Sequence, residues 1–264
     1  MEKISRKSFV KGALGLGAVG ILAGCASSAS STAASASSTA APAEKKEFTF
    51  ADTVRWDAQY DVVVMGMGAA GMVAAKTAAD NGAKVVIVEK CEEGKAGGNT
   101  KVCGQLFAYA NGDKDAAKSY YTALAGGRDI EPEIIDAISE GVANMADILA
   151  DEFGFNKDEY MDWTGVNVGG TNMGAMSPEY PEMPGHEKMA LWTTHAGASD
   201  GYLYQGLKQN VTDRVDAIDV WYSSPAKSLI QDPVTKTVVG VTVERDGKEM
   251  NIRALNGVCI CTGG

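Results

Sequence analysis

An α/β fold, in which a parallel sheet of Rossmann type joins a small antiparallel β-meander, is predicted by three stretches of this chain. Asp61-Val-Val-Val-Met-Gly66-Met-Gly68-Ala-Ala-Gly71 is an apolar run entering a Gly-x-Gly-x-x-Gly turn. Val85-Val-Ile-Val-Glu89-Lys90 is a second apolar run, tipped by an acid. Residues 238–244 and 250–254 flank a tight Asp246-Gly247 turn. Near-continuous apolar strands suit a parallel sheet covered on both faces, whereas a two-residue turn makes an antiparallel hairpin.

The chain opens with Lys3, Arg6, Lys7 and Lys11, then a Gly/Ala-rich apolar stretch over 12–23. That stretch is too short to span a bilayer, which takes about 20 apolar residues. A basic start, a short apolar run and small residues at its end read as an export signal over 1–24. Leu22-Ala23-Gly24-Cys25 resembles the lipobox of bacterial lipoproteins, whose cysteine is lipidated and becomes the mature N-terminus. Ser5-Arg6-Lys7-Ser8-Phe9-Val10-Lys11 resembles the twin-arginine export motif, with Lys7 in place of the second arginine. Residues 26–43 are almost entirely Ser, Ala and Thr, so 25–47 forms a flexible tether with too few large apolar groups to offset the entropy of ordering. The folded part is 48–264, and the expected location is the outer face of the cytoplasmic membrane, with the lipid as the only membrane contact.

The formal net charge is −10, and residues 1–24 contribute +3, so the remainder carries −13. Such an acidic chain offers no electrostatic footprint for nucleic acid. Of the five cysteines, Cys25 is assigned to lipid, and the other four form no zinc-type spacing. Cys259 and Cys261 share one face of a strand and read as small buried apolar side chains. Cys91 and Cys103 are compatible with a disulfide or with free thiols.

Along the folded part, 60–65 is the first strand, 69–81 an Ala-rich helix and 84–89 the second strand. Residues 91–112 read as an extended glycine-rich segment, and 113–124 as a helix stopped by Gly126-Gly127. An amphipathic helix spans 131–153, with Ile134, Ile138, Met145 and Leu149 on one stripe, Val142 beside them and Pro132 in its first turn. Residues 156–198, rich in Gly, Met, Pro and aromatics, read as irregular structure over a site, with methionines 173, 176, 183 and 189 as flexible packing in a lid. A further helix spans 201–211. Short strands follow at 228–231, 238–244, 250–254 and 257–261, the last running into Thr262-Gly263-Gly264.

The three glycines of the turn have separate tasks. Gly66 makes the tight turn, Gly68 lets a diphosphate approach the backbone, and Gly71 allows close helix–strand packing. The diphosphate then lies at the positive end of the helix, against unpaired N–H groups. Glu89, eighteen residues after Gly71, is placed to accept hydrogen bonds from a ribose. These residues together define a dinucleotide site.

Gly97-Gly98-Asn99-Thr100 begins eight residues after Glu89, the acid at the strand tip. With the meander and the terminal Thr262-Gly263-Gly264, it resembles the flavoprotein family of fumarate reductase and succinate dehydrogenase, among them the exported single-flavin reductases of anaerobic bacteria. The resemblance covers 58–264. It implies an FAD diphosphate held by Gly66, Gly68, Ala70 and Gly71, and an adenosine ribose on Glu89 flanked by Lys90. Gly97, Gly98, Asn99 and Thr100, with Gly104 next to them, are implied on the diphosphate and flavin side. Ala226 is implied beside adenine, and Thr262 and Gly263 over the dinucleotide. The family usually has a second glycine where Gln105 stands, and no contact is assigned there. Covalent members attach FAD through a histidine near the segment equivalent to 95–105; this chain has only His186 and His195, so FAD is expected to be non-covalent.

The resemblance also implies a capping domain after the Thr-Gly-Gly strand, bringing an arginine proton donor and groups that grip substrate carboxylates. That region is absent from this sequence, so the FAD-binding domain is expected to be incomplete and to need a C-terminal half, possessed in some form by a separate chain or lost. The implied reaction is hydride transfer from FAD to the C=C bond of a small unsaturated carboxylate, with an electron-donor protein as a further partner. The competing readings are a non-catalytic, membrane-tethered FAD-binding remnant or subunit and a nicotinamide-dependent dehydrogenase. No catalytic residue and no metal ligand is assigned. His195, before Gly197-Ala198-Ser199-Asp200, is a candidate for the substrate side, and a hydrogen-bonded structural role is its alternative.

The export reading has a direct check. Because one lipid chain binds a membrane only marginally, firm anchoring takes several. Cys25→Ser should move the protein out of the membrane fraction or leave it unprocessed; an unchanged fraction and mass would reject the lipid anchor.

Overall fold

A computed structural model describes residues 48–164, 167–168, 171–172, 180–196 and 200–263. The expected export signal, the tether with Cys25, Met173, Met176 and Gly264 lie outside the described residues. The strands are β1 (Ala58–Met65), β2 (Val85–Val88), β3 (Leu106–Tyr109), β4 (Met161–Asp162), β5 (Asn167–Val168), β6 (Thr171–Asn172), β7 (Ala190–Thr193), β8 (Ile218–Trp221), β9 (Ala226–Gln231), β10 (Val238–Arg245) and β11 (Lys248–Ile260). The helices are α1 (Ala69–Asp80), α2 (Gly98–Val102), α3 (Lys114–Leu124), α4 (Pro132–Asp151) and α5 (Tyr202–Thr212). None of these helices is long and apolar enough to cross a membrane.

The main sheet has the order β8-β2-β1-β11-β10-β9. Its first four strands are parallel, with Val62 opposite both Val85 and Gly257, and Val85 opposite Ile218. β9 and β10 complete it as an antiparallel pair. The valine runs are buried on both faces, as their unbroken apolar pattern requires. Val62, Val64, Val85 and Ile87 face Met72 and Ala75 of α1 and Leu207 and Val211 of α5. Val63, Val86 and Val88 face the other way, against Val241, Val243, Ile252 and Ala254. The meander therefore covers the sheet face that α1 does not.

Residues 250–254 and 257–261, expected as separate strands, are one. β11 pairs with β10 through its first half and with β1 along most of its length, and the register slips by one residue at Leu255-Asn256. Such a β-bulge bends a strand without ending it. Gly257, at φ +144, takes the bend.

Three other expectations are corrected. The segment 91–112 contains α2 and β3, and β3 pairs with β7, which also pairs with β4. Residues 156–198 thus supply core as well as loop: Trp163, Met189, Ala190, Thr193 and Thr194 are buried. Met189 packs with Ala110, Ala117, Tyr120 and Val142, and Met183 lies against the same cluster rather than in a lid. On α4 the buried positions are Ile135, Ser139, Val142, Ala143, Ala146 and Leu149, while Ile134 and Ile138 are 51% and 42% exposed. Backbone decides this: the Ala110 and Gly112 amides donate to the Val142 and Ala143 carbonyls at 3.1 and 3.0 Å. Only the face with small side chains admits that approach.

A charged network ties α1 to α5. Lys76 is buried, bonded to Asp80 at 3.0 Å and set 4.7 Å over the Phe153 ring. Arg214 clasps the same carboxylate, its second contact being 3.1 Å, and its guanidinium holds Asp80 below the usual carboxylate range. Asp80→Asn should cost about 1–2 kcal/mol at pH 7, less than a fully buried pair because the carboxylate is 39% exposed. A depressed carboxyl stabilises above its unfolded pKa, near 3.9, and that stability is lost as pH falls through the folded value. Urea unfolding should therefore separate wild type and variant at pH 7 and bring them together toward pH 3; an equal gap at both would contradict the linkage.

Candidate functional site

The glycine turn sits where β1 ends beside β2 and β11. Gly66 has φ +96, and its amide donates to Val88 O at 2.8 Å. A Cβ on Gly66 would lie 2.6 Å from the Cys261 carbonyl, and one on Gly71 would lie 2.0 Å from the Gly66 carbonyl. Packing alone demands glycine at both. Gly68 differs: its φ is −79, and a Cβ there would meet nothing nearer than Thr100 Oγ1 at 3.7 Å. No protein atom excludes a side chain at Gly68, so the space before the α1 N-terminus is open to a group from outside.

Thr100 borders that space. Its hydroxyl accepts from the Ala69 amide at 2.9 Å and so caps α1 from another segment, Gly68 having no side chain to do it. The amides of Ala70 and Gly71, in the first turn, have no intrahelical acceptor. Gly97 and Gly98 are both left-handed, at φ +120 and +52, and a Cβ on Gly97 would strike the Tyr204 ring at 2.5 Å. Gly98 and Asn99 are exposed, and Gly104 is half-buried.

Glu89 is buried at the tip of β2. Its carboxylate accepts from the Met67 amide at 2.8 Å, inside the glycine turn, and from the Cys91 amide at 2.9 Å. The acid thus shapes the turn as well as facing the site, which spacing alone did not show. Lys90 beside it is exposed. The Ser224 amide donates to Glu89 O at 2.8 Å, placing Ala226, two residues on, at the start of β9 near this corner. The Cys261 amide donates to Met65 O at 2.9 Å, so exposed Thr262 and Gly263 emerge against Gly66. The candidate residues therefore gather at the carboxyl ends of parallel strands, where α/β sheets bind ligands.

Gln105 was not assigned a role from sequence. It is fully buried at φ +61. Its Nε2 donates to Thr100 O at 2.9 Å and Cys103 O at 3.0 Å, and its Oε1 accepts from the Tyr204 amide at 3.3 Å. The left-handed backbone explains why a glycine suits this position in the resembled family, and a long amide there was the available signal. Cys91 and Cys103 are free thiols, and Cys259 and Cys261 are half-buried on the α1 side, where burial pushes both thiols up.

A second cluster surrounds His195. Its Nε2 lies 2.7 Å from Asp200 Oδ2, and its ring stacks on Tyr202 at 4.1 Å. The Tyr202 amide first, and then His195, hold the Asp200 carboxyl below its usual range. The His195 Nδ1, the Thr194 hydroxyl and the Tyr160 phenol oxygen are buried without a partner. Burial also pushes the Tyr160 phenol up to about 12. Buried polar atoms are nearly always satisfied, so each of these is an exception in this part of the molecule. His186, by contrast, bonds Met183 O at 2.9 Å in a turn.

Residues 61–264 match the model of a family described as FAD binding domain. The NADH:fumarate oxidoreductase of Klebsiella pneumoniae is 29% identical over 215 residues, which are 78% of this chain and 20% of that protein. The digoxin reductase of Eggerthella lenta is 41% identical over 105 residues, 38% of this chain and 18% of that protein. The structure of 3-ketosteroid delta1-dehydrogenase from Sterolibacterium denitrificans superposes with a TM-score of 0.62 at 20% identity, covering 78% of this chain and 48% of that one. This chain thus spans about a fifth of the length of these two curated relatives.

The glycines separate by experiment. Without any ligand, Gly71→Ala should cost about 3 kcal/mol, the upper end for overpacking. Gly68→Ser, which fits the open space and suits an N-cap, should stay within about 0.5 kcal/mol of wild type. Urea unfolding of the apoprotein tests both, and equal losses would show that packing also demands Gly68.

Proposed function

From the premise that this chain belongs to the FAD-binding domain family, we propose that it is the cofactor-binding part of a flavin-dependent reductase acting on the activated C=C bond of a small unsaturated carboxylate. The observation that carries the reading is the open space at Gly68, set between the α1 amides and the buried Glu89. FAD, when bound, supplies the hydride.

The chain's own residues bind and orient. Gly66, Gly68, Ala70 and Gly71 receive the diphosphate, whose charge is met by first-turn amides and the helix dipole. Glu89 accepts from the ribose through lone pairs left over from Met67 and Cys91, with Lys90 flanking. Gly97, Gly98, Asn99, Thr100 and Gly104 border the diphosphate and flavin side, Ala226 the adenine, and Thr262 and Gly263 the open face. With no histidine in 95–105, the cofactor is held without a covalent bond.

His195 serves the substrate side. Ionised Asp200 accepts from Nε2–H, which leaves Nδ1, an atom without a partner among the described residues, for a substrate group. The relative named for fumarate supports a carboxylate substrate. Export and a lipid anchor at Cys25 belong to the same proposal, as does an electron-donor protein.

Titration of apoprotein with FAD and NAD tests the cofactor assignment. Gly68→Val should abolish FAD binding. Glu89→Ala should weaken it about ten- to hundredfold, the loss of a charge-assisted bond of roughly 1.5–3 kcal/mol. NAD binding as tight as FAD would overturn the assignment. For the substrate class, the complete gene product with a reduced viologen dye should reduce fumarate in preference to a 3-keto steroid; the reverse preference would reject the carboxylate.

A further inference from the structure

Gln105 joins two helix ends. The Tyr204 amide, in the first turn of α5, has no acceptor within its own helix and donates to Gln105 Oε1 at 3.3 Å. The Ala69 amide, first in α1, donates to Thr100 Oγ1 at 2.9 Å, and Thr100 O accepts from Gln105 Nε2 at 2.9 Å. One side chain, with Thr100, therefore links the amide end of α1 to the amide end of α5. The α5 end also carries the His195–Asp200 pair, since Asp200 accepts from the Tyr202 amide at 3.0 Å and His195 stacks on the Tyr202 ring.

Two further contacts clamp the same segment to α5. The Tyr204 ring lies where a Cβ of Gly97 would be, and Lys208 Nζ reaches Glu93 at 3.1 Å. Glycine would suit the left-handed backbone at 105 but would leave the Thr100 and Cys103 carbonyls and the Tyr204 amide without these bonds. The side chain thus stands against the local backbone preference, and its hydrogen bonds are the compensation.

We infer that Gln105 is a positioning residue that fixes the distance between the α1 amide end and the His195–Asp200 pair. Its functional side rests on the cofactor and substrate reading above: flavin and substrate-side groups keep one register because Gln105 spans them. The mechanical link stands on the geometry alone. A coupling claim of this kind needs a response at a group the altered residue does not touch.

Ala69 and His195 are such groups, and the test uses the full chain as wild type, Gln105→Gly and Gln105→Met. Arg214→Met is the control, loosening α5 from α1 at the Asp80 clasp instead. Without cofactor, amide hydrogen exchange should rise about tenfold at Ala69 and Tyr204 in both Gln105 variants, measured against Val63 in the sheet core, and stay near wild type in the control. With FAD added, the His195 ring resonances should shift in wild type, and this shift should vanish in Gln105→Gly although FAD still binds. Gln105→Gly removes backbone strain, so it guards against a variant that does not fold. Unchanged Ala69 exchange in both variants would overturn the link. A His195 response that survives in both would overturn the functional coupling. If wild type takes no FAD, the cofactor reading fails, and the exchange arm alone decides the link.

Discussion

A helix can begin in direct contact with the strand that feeds it only where a side chain is missing, and that constraint at Gly71 organises this molecule. A Cβ there would sit 2.0 Å from the Gly66 carbonyl. Because it is absent, α1 starts immediately above β1 and points its free amides along the sheet's carboxyl edge. The neighbouring strands are then set: Gly66 bonds Val88 of β2, and the Cys261 carbonyl at the end of β11 closes on Gly66. Thr262, Gly263 and Glu89 are carried to the same corner as a consequence. The site follows from a packing solution.

The helix ends that face the site are capped from elsewhere in the chain. Thr100 caps α1, Gln105 caps α5, and only Asp200 acts locally. A cap borrowed from a distant segment satisfies the amide and also fixes that segment, which a local cap cannot do. The glycine-rich stretch around 97–105 has little apolar side chain with which to anchor itself, so these polar bonds, together with Tyr204 against Gly97, determine where it lies. Rigidity here comes from satisfied hydrogen bonds in a buried setting, where leaving one unmade is costly.

What could be read from the sequence was local. The strand–turn–helix–strand–acid run was legible because each step depends on neighbours: valine runs, glycine spacing, and an acid at a fixed distance. The meander turn at Asp246-Gly247 was legible for the same reason, and both turn residues take left-handed φ values of +52 and +71. The continuity of β11 was not, since a bulge opposite Asp61 is decided by pairing with β1, almost two hundred residues away in sequence. Nor was the buried face of α4: large Ile134 and Ile138 drew the stripe, but the backbone of 110–112 selected the small-residue side. Gln105 and the Asp200 partner of His195 were hidden because their roles appear only when segments far apart meet.

Charge shows why such a site suits an acidic chain. The formal charge is −10, and a diphosphate adds more of the same sign. Two of the lysines near the turn are already committed: Lys208 pairs with Glu93, and Lys101 donates to the Gly94 carbonyl and lies 5.8 Å over the Tyr204 ring. The α1 N-terminus adds peptide dipoles that carry about half a unit of positive charge. Unlike a lysine, these amides lose no rotamer freedom on binding, and their placement was settled when Gly71 packed. Two backbone amides hold the Glu89 carboxyl in the same corner. A glycine turn, a buried acid and a short run of free amides are thus mutually dependent: the close packing aims the amides, and the acid's bonds to the Met67 and Cys91 amides hold the turn in shape.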